Sequence, residues 1–339
     1  MSESEEKLPS LLGMPDVVMD EIMEYLEFRE ILSLRKVCHQ LRDFIDESKS
    51  KSSLKDINIL IYPQKIILKF FSSQNEIHKI LYQGSEDQKR TEVVYEETRT
   101  TLQNRNFLDI SLQDLQIILK SQKSLLRLFK ILGSDHHEYV TRLVQILRPR
   151  PLQIEEFHMY IDPHQEEKIL EILPLLEEKS IISISIYNNS EDRAVLKIDE
   201  LAKLEHWKRS EQLYISKFVV DIRTCGVKVF GYFSLVEMTV ERISGEEMME
   251  LEELFLHSPQ FAICGIKFLH FEDTSSDFLK SCTITTVDIT DGRQEKLWFY
   301  GKSEIDDEIL RISYSEQRKT MEFKRIRRAG VPDHVDVKY

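Results

Sequence analysis

Cysteine is scarce in this sequence. Four are present in 339 residues: Cys38, Cys225, Cys264 and Cys282. The closest two are 18 residues apart and none forms a C-x-x-C pair, so the spacing draws neither a zinc module nor a disulfide framework. Four buried thiols acting as small apolar side chains are expected. Ten glycines and nine prolines are too few for collagen-like or low-complexity classes. No run approaches the roughly 20 apolar residues that cross a bilayer. The opening Met1-Ser2-Glu3-Ser4-Glu5-Glu6 lacks the basic start and apolar run of an export signal, so a cytoplasmic and/or nuclear protein is expected. Basic residues are outnumbered 46 to 59, for a formal charge of −13, which argues against an electrostatic grip on nucleic acid.

Spaced catalytic sets are missing as well. Gly301-Lys302-Ser303 resembles the end of a phosphate-binding loop, but the glycine that should stand five residues earlier is Lys296. Gly226 and Gly231 have the separation, yet Tyr232-Phe233 follows where Lys-Ser/Thr is required. His137-Glu138 opens like H-E-x-x-H, but the second ligand position is Thr141. No G-x-S-x-G or G-x-G-x-x-G is present. Asn188-Asn189-Ser190 fits a glycosylation acceptor and reads as a loop. The expectation is a protein that is not an enzyme and holds no metal or cofactor.

What is present is patterned apolar content. Length suggests two domains, or a small module fused to a larger one. Val18, Ile22 and Leu26 recur every four residues behind Pro15 and Asp16, which suit a helix start. Further stripes follow at Ile31, Leu34, Val37 and Cys38, and at Leu41, Phe44 and Ile45. Three short helices in about forty residues are predicted. So small a unit cannot cover that much apolar surface alone. Either the rest of the chain or a helical partner must cover it.

This segment resembles the F-box. Met14-Pro15, Ile22, Leu26, Glu30-Ile31, Leu34, Val37-Cys38-His39, Leu41-Arg42 and Ile45 follow its pattern, with Met14 in place of the usual leucine. The resemblance implies docking on a Skp-type adaptor and, through it, a cullin-based ubiquitin ligase. It implies Met14, Pro15, Val18, Ile22 and Leu26 facing the adaptor, with Leu34, Val37, Cys38 and Leu41 divided between adaptor contact and the module's own core.

Beyond a polar junction at residues 49–53, alternation predicts strands at 56–62, 65–71 and 92–95, with a turn at Gly84-Ser85-Glu86-Asp87. A helical stripe is read over 111–132 up to Gly133, and a helix over 136–147 that Pro149 and Pro151 end. From 152 onward, strands at 154–160, 181–187, 213–219, 235–243, 263–271 and 285–289 alternate with helices at 166–176, 198–207 and 246–257. The steps of 21 to 30 residues match the scale of leucine-rich repeats, without their leucine and asparagine signature. An irregular repeat-like α/β domain is expected, with an ordinary compact α/β domain as the alternative. Strands at 295–300, 310–314 and 320–326 complete a small antiparallel sheet.

This region is similar to the FTH domain, which follows the F-box in a large nematode family. Leu204-Glu205-His206-Trp207-Lys208-Arg209-Ser210-Glu211-Gln212-Leu213 carries the likeness, as do Ile243-Ser244-Gly245-Glu246-Glu247 and Ser258-Pro259-Gln260-Phe261. Ser210, Glu211 and Tyr232 depart from the family pattern. The resemblance implies a domain that recruits a protein target.

The fold class is thus α+β / α/β: a helical module at 8–50, a connecting β/α segment at 54–129, a repeat-like domain at 130–290 and antiparallel strands at 291–330. On the open face of the sheet, His158, Tyr160 and Tyr187 are the candidate target contacts, because aromatic rings with polar edges suit binding surfaces. Ser183, Ser185, Thr239, Glu241 and Lys267 share the alternation. The expected function is a receptor subunit of an SCF-type ligase, with a non-degradative interaction scaffold as the alternative. The basic run Arg318, Lys319, Lys324, Arg325, Arg327 and Arg328 reads as an import signal, a grip on an acidic target, or a strand face that pairs with the chain's own acids.

Overall fold

The computed structural model describes residues 11–26, 28–47, 54–73, 76–86, 89–122, 124–133, 137–272, 284–287, 294–332, 334–335 and 337–339. The junction at 49–53, Cys282, His136, Asp87 and the end of the expected 285–289 strand lie outside them. The chain divides into two compact units, Met1–Glu155 and Glu156–Tyr339.

The first unit opens with helices α1 (Asp16–Tyr25), α2 (Phe28–Leu34) and α3 (His39–Glu47). Met19, Met23, Ile31, Leu41 and Ile45 form their buried core. Pro15 sits at the cap, one position before the helix, and its carbonyl accepts from the Val18 and Met19 amides. Cys38 caps α3, its sulfur accepting from the Leu41 amide at 3.5 Å.

An antiparallel meander follows: β1 (Leu54–Tyr62), β2 (Lys65–Ser72), β3 (Ile77–Gly84), β4 (Arg90–Tyr95) and β5 (Thr98–Gln103). Helix α4 (Phe107–Ser121) lays Phe107, Leu108, Leu112, Leu115 and Ile118 on this sheet, capped by Asn106. Then β6 (Leu126–Gly133) returns parallel to β1, and α5 (His137–Leu147) packs against α4.

The predicted helix over 111–132 is therefore two elements. Its apolar residues keep helical spacing across Gln122, but Leu126, Phe129 and Ile131 are buried as part of a strand. Gly133 has φ +147°, and a Cβ there would lie 2.1 Å from the Ile61 carbonyl oxygen. Only glycine fits where β6 closes on β1.

In the second unit, β7 (Ile154–Ile161) is followed by α6 (Glu167–Ile172) and β8 (Ser183–Asn188). Pro174 turns the end of the expected 166–176 helix into a short 3-10 turn. Next come β9 (Ala194–Leu196), α7 (Glu205–Arg209), β10 (Gln212–Ser216), β11 (Phe218–Val220), α8 (Ile222–Cys225), β12 (Leu235–Ser244), α9 (Gly245–His257) and β13 (Ile263–Glu272). Strands β7, β8, β10, β12 and β13 pair in parallel, in that order. Strand β11 pairs in parallel with β9 and β12.

The predicted 213–219 strand is broken because Lys217 takes a left-handed backbone, φ +61°. The turn is pinned by Asn188, whose amide donates to the Lys217 and Asp192 carbonyls. Asn188 is only 2% exposed, so the glycosylation-like triplet is part of the packing.

The strands β14 (Ile284–Val287), β15 (Gln294–Tyr300), β16 (Glu308–Ser315) and β17 (Thr320–Arg327) are antiparallel, and β17 pairs with the edge of β13.

Trp207 anchors the helical layer. It is fully buried, donates its indole N–H to the Val229 carbonyl at 3.0 Å and meets Phe233 edge to face at 5.2 Å. Helix α9 begins with a reciprocal capping box between Ser244 and Glu247. Two of the cysteines expected to be buried, Cys38 and Cys225, are half-buried, while Cys264 is fully buried. Burial pushes the Cys225 thiol up to about 11, so it stays protonated near neutrality.

Candidate functional site

Two surfaces carry candidate residues. The first is the outer side of the helical module. Residues Met19, Met23 and Leu26 point inward at helical spacing, which turns the neighbouring positions out. Val17 is 73% exposed, Tyr25 87% and Val37 68%, with Met14 and Val18 near 40% and Pro15 also exposed. Ile22 is half-buried. Leu26, Leu34 and Val37 line a groove of about 930 Å³, whose other wall carries Ile77, His78 and Glu96.

The structure apportions the residues left open by sequence. Leu41 is core, Leu34 and Cys38 lie against the core, and Val37 faces out. Sequence reasoning named neither Val17 nor Tyr25. Both follow from the inward turn of Met19 and Met23, which the Val18–Ile22–Leu26 stripe masked by one position.

The second surface is the face of the parallel sheet opposite its buried side. Phe157, Met159, Ile184, Ile186, Leu213 and Val236 point into the core. Alternation sends their neighbours the other way. Register places Glu156 beside Ser183, His158 beside Ser185 and Tyr160 beside Tyr187. Tyr160 and Tyr187 stack with ring centroids 4.3 Å apart, and His158 tilts against Tyr187 at 5.8 Å. The three aromatic candidates therefore form one cluster.

Tyr214 extends the row on β10, in register with Ser185 and Glu237. Burial first, then the charge of Glu237, holds its hydroxyl above the usual phenol range. Sequence reasoning missed Tyr214, although the alternation of 213–219 would have found it. Ser183 and Ser185 lie buried among these larger neighbours.

The basic run is largely committed to the fold. The Arg325 guanidinium is 12% exposed and donates to the Phe255, Ser258 and Phe261 carbonyls at 2.8, 2.7 and 3.1 Å, and to Glu308 at 3.1 Å. It thereby closes the C-terminus of α9. Arg328 donates to the Asp306 and Ser303 carbonyls. Pairing with the chain's own acids is thus seen for Arg325, through Glu308, whereas Arg328 is held by backbone carbonyls.

With both surfaces described, comparison with protein families is informative. The F-box domain matches residues 11–53, and the FTH domain matches residues 137–287. The chain thus carries an F-box domain and, after it, an FTH domain, which matches the F-box plus FTH architecture. No curated protein and no solved structure matches it. An F-box is a docking module for Skp-type adaptors of SCF complexes, so the chain has a protein-interaction role. No helix among the described residues is long and apolar enough to cross a membrane.

Proposed function

We propose that the protein is the target-recognition subunit of an SCF-type ubiquitin ligase, acting in the cytoplasm and/or nucleus without catalytic residues of its own. The helical module binds the Skp-type adaptor, and the FTH region holds a protein target. The observation that carries this reading is the exposed apolar set Val17, Tyr25 and Val37 on a module that matches the F-box. Three large apolar side chains left exposed on so small a unit suit a surface that a partner covers.

Supporting target capture by the second unit is its open sheet face, where stacked rings replace the apolar side chains of the buried face. We read that unit as an irregular repeat-like stack, on the strength of its parallel ladder from β7 to β13 with helices between strands. Catalysis in such a complex is proximity: tethering raises the effective concentration of the target near the ubiquitin-carrying enzyme.

The test is co-purification with a Skp-type adaptor, wild type beside Ile22→Asp and Val37→Asp, with circular dichroism on each. Retention by wild type and loss by folded variants supports the reading; no retention by wild type overturns it. A target whose half-life lengthens on depletion of the protein separates a ligase receptor from a scaffold.

A further inference from the structure

A cavity of about 170 Å³ lies in the first unit, where α4 and α5 end. Leu119 of α4, Ile146 and Leu147 of α5, and Pro149 and Pro151 beyond it supply the apolar wall. No carboxylate lines it. Lys120 and Arg150 stand exposed at its rim, and neither has an ion-pair partner among the described residues. The cavity shares no residue with the two surfaces described above.

Its wall also holds Gln122, the residue that caps α4 and is only 3% exposed. The Gln122 Nε2 donates to the Ser124 carbonyl at 2.9 Å and to the Ser124 hydroxyl at 3.0 Å. Those contacts fix the amide, because turning it over would set its oxygen against the Ser124 carbonyl. Oε1 therefore faces away from Ser124, buried and without a hydrogen-bond partner. A buried acceptor left unpaired costs the fold stability. Its place on the wall of a cavity points to a donor supplied from outside.

We infer that the cavity receives a tryptophan side chain from an acidic segment of a partner protein. The wall calls for an apolar body, and Oε1 calls for a donor. An indole brings one N–H and no acceptor, so nothing on it is left unpaired. A phenol or a neutral imidazole would carry an acceptor into a wall of leucine, isoleucine and proline. A lysine or arginine would bring its charge up to Lys120 and Arg150. The space is adequate, since a cavity of about 150 Å³ holds a benzene ring. The two rim cations favour carboxylates beside the tryptophan. This inference does not depend on the receptor reading.

The experiment titrates the full chain with N-acetyltryptophanamide, followed by ligand-observed NMR. Beside it runs the analogue methylated on the indole nitrogen, which keeps the ring and loses the N–H. Saturable binding that the methylated analogue weakens at least tenfold supports the inference. No saturation, or equal binding of the two, overturns it. Both ligands meet the same protein, so this comparison needs no variant to fold. Gln122→Met, with its unfolding midpoint measured alongside, should bring the two ligands to equal affinity. A tenfold preference that persists in the folded variant overturns the role of Oε1. A tryptophan peptide flanked by aspartates is then compared with one flanked by lysines. Preference of wild type for the acidic peptide, reversed by Lys120→Glu combined with Arg150→Glu, supports an acidic segment. Equal binding of the two peptides overturns it.

Discussion

The helical module and the parallel-sheet unit use apolar residues in opposite ways. In the module, Met19, Met23, Ile31, Leu41 and Ile45 are buried while Val17, Tyr25 and Val37 remain outside. In the sheet, nearly every apolar side chain of β7, β8, β10 and β12 turns inward, and the other face carries serines, tyrosines, a histidine and glutamates. A sheet of this size under a layer of helices can bury one face completely. Three short helices cannot, and what they leave outside is available to a partner. One region thus invites an apolar docking contact, and the other presents polar groups on a rigid base.

If that contrast holds, the largest effect belongs to the sheet's core. Trp207→Ala removes a fully buried indole and orphans the Val229 carbonyl, and should cost about 3–5 kcal/mol in chemical denaturation. A cost below about 1 kcal/mol would show that the helical layer is not anchored there. Next comes the module's surface. Val37→Asp should weaken adaptor binding by about 2 kcal/mol, roughly 30-fold in Kd, with stability changed by less than about 0.5 kcal/mol. Stability lost along with binding would make Val37 a core residue in disguise.

A smaller effect is expected at α9, where Ser244→Ala removes the capping box and should cost about 0.5–2 kcal/mol, read from the denaturation midpoint. The smallest concerns pH. Burial raises the Asp114 carboxyl above its ordinary value, opposed in part by the hydroxyl of Tyr82 donating to it at 2.7 Å. The folded state therefore holds the Asp114 proton to higher pH than the unfolded chain. Its contribution to stability falls as pH rises from the ordinary carboxylate value through the raised one. Asp114→Asn should flatten that decline in a pH series of unfolding curves; an unchanged slope would assign it to other groups.

The sequence disclosed most where apolar and polar side chains alternate along an element, or where a helix start is spelled out. Ile182, Ile184 and Ile186 against Ser183 and Ser185 announced a strand, and Ser244 with Glu247 announced the start of α9. Strand β5 gave no such signal: Thr98–Gln103 is almost wholly exposed and has no apolar alternation to read. Strand β6 was hidden because Leu125, Leu128 and Phe129 continue a helical spacing that only pairing with β1 overrules.

Candidate site residues followed the same rule. His158, Tyr160 and Tyr187 were visible through strand alternation, while the outward Val17 and Tyr25 depend on the helix's rotation about its axis.

The reach of Arg325 across to α9 has a consequence for how the protein is made. The carbonyls at the end of that helix, and the free edge of β13, are satisfied by β17, which follows β14, β15 and β16 in the chain. A ribosome therefore releases α9 and β13 well before the residue that closes them. During that interval the nascent unit exposes a strand edge open to wrong pairing. A message truncated between codons 273 and 319 would yield a chain that carries α9 and β13 but lacks the strand that covers the β13 edge.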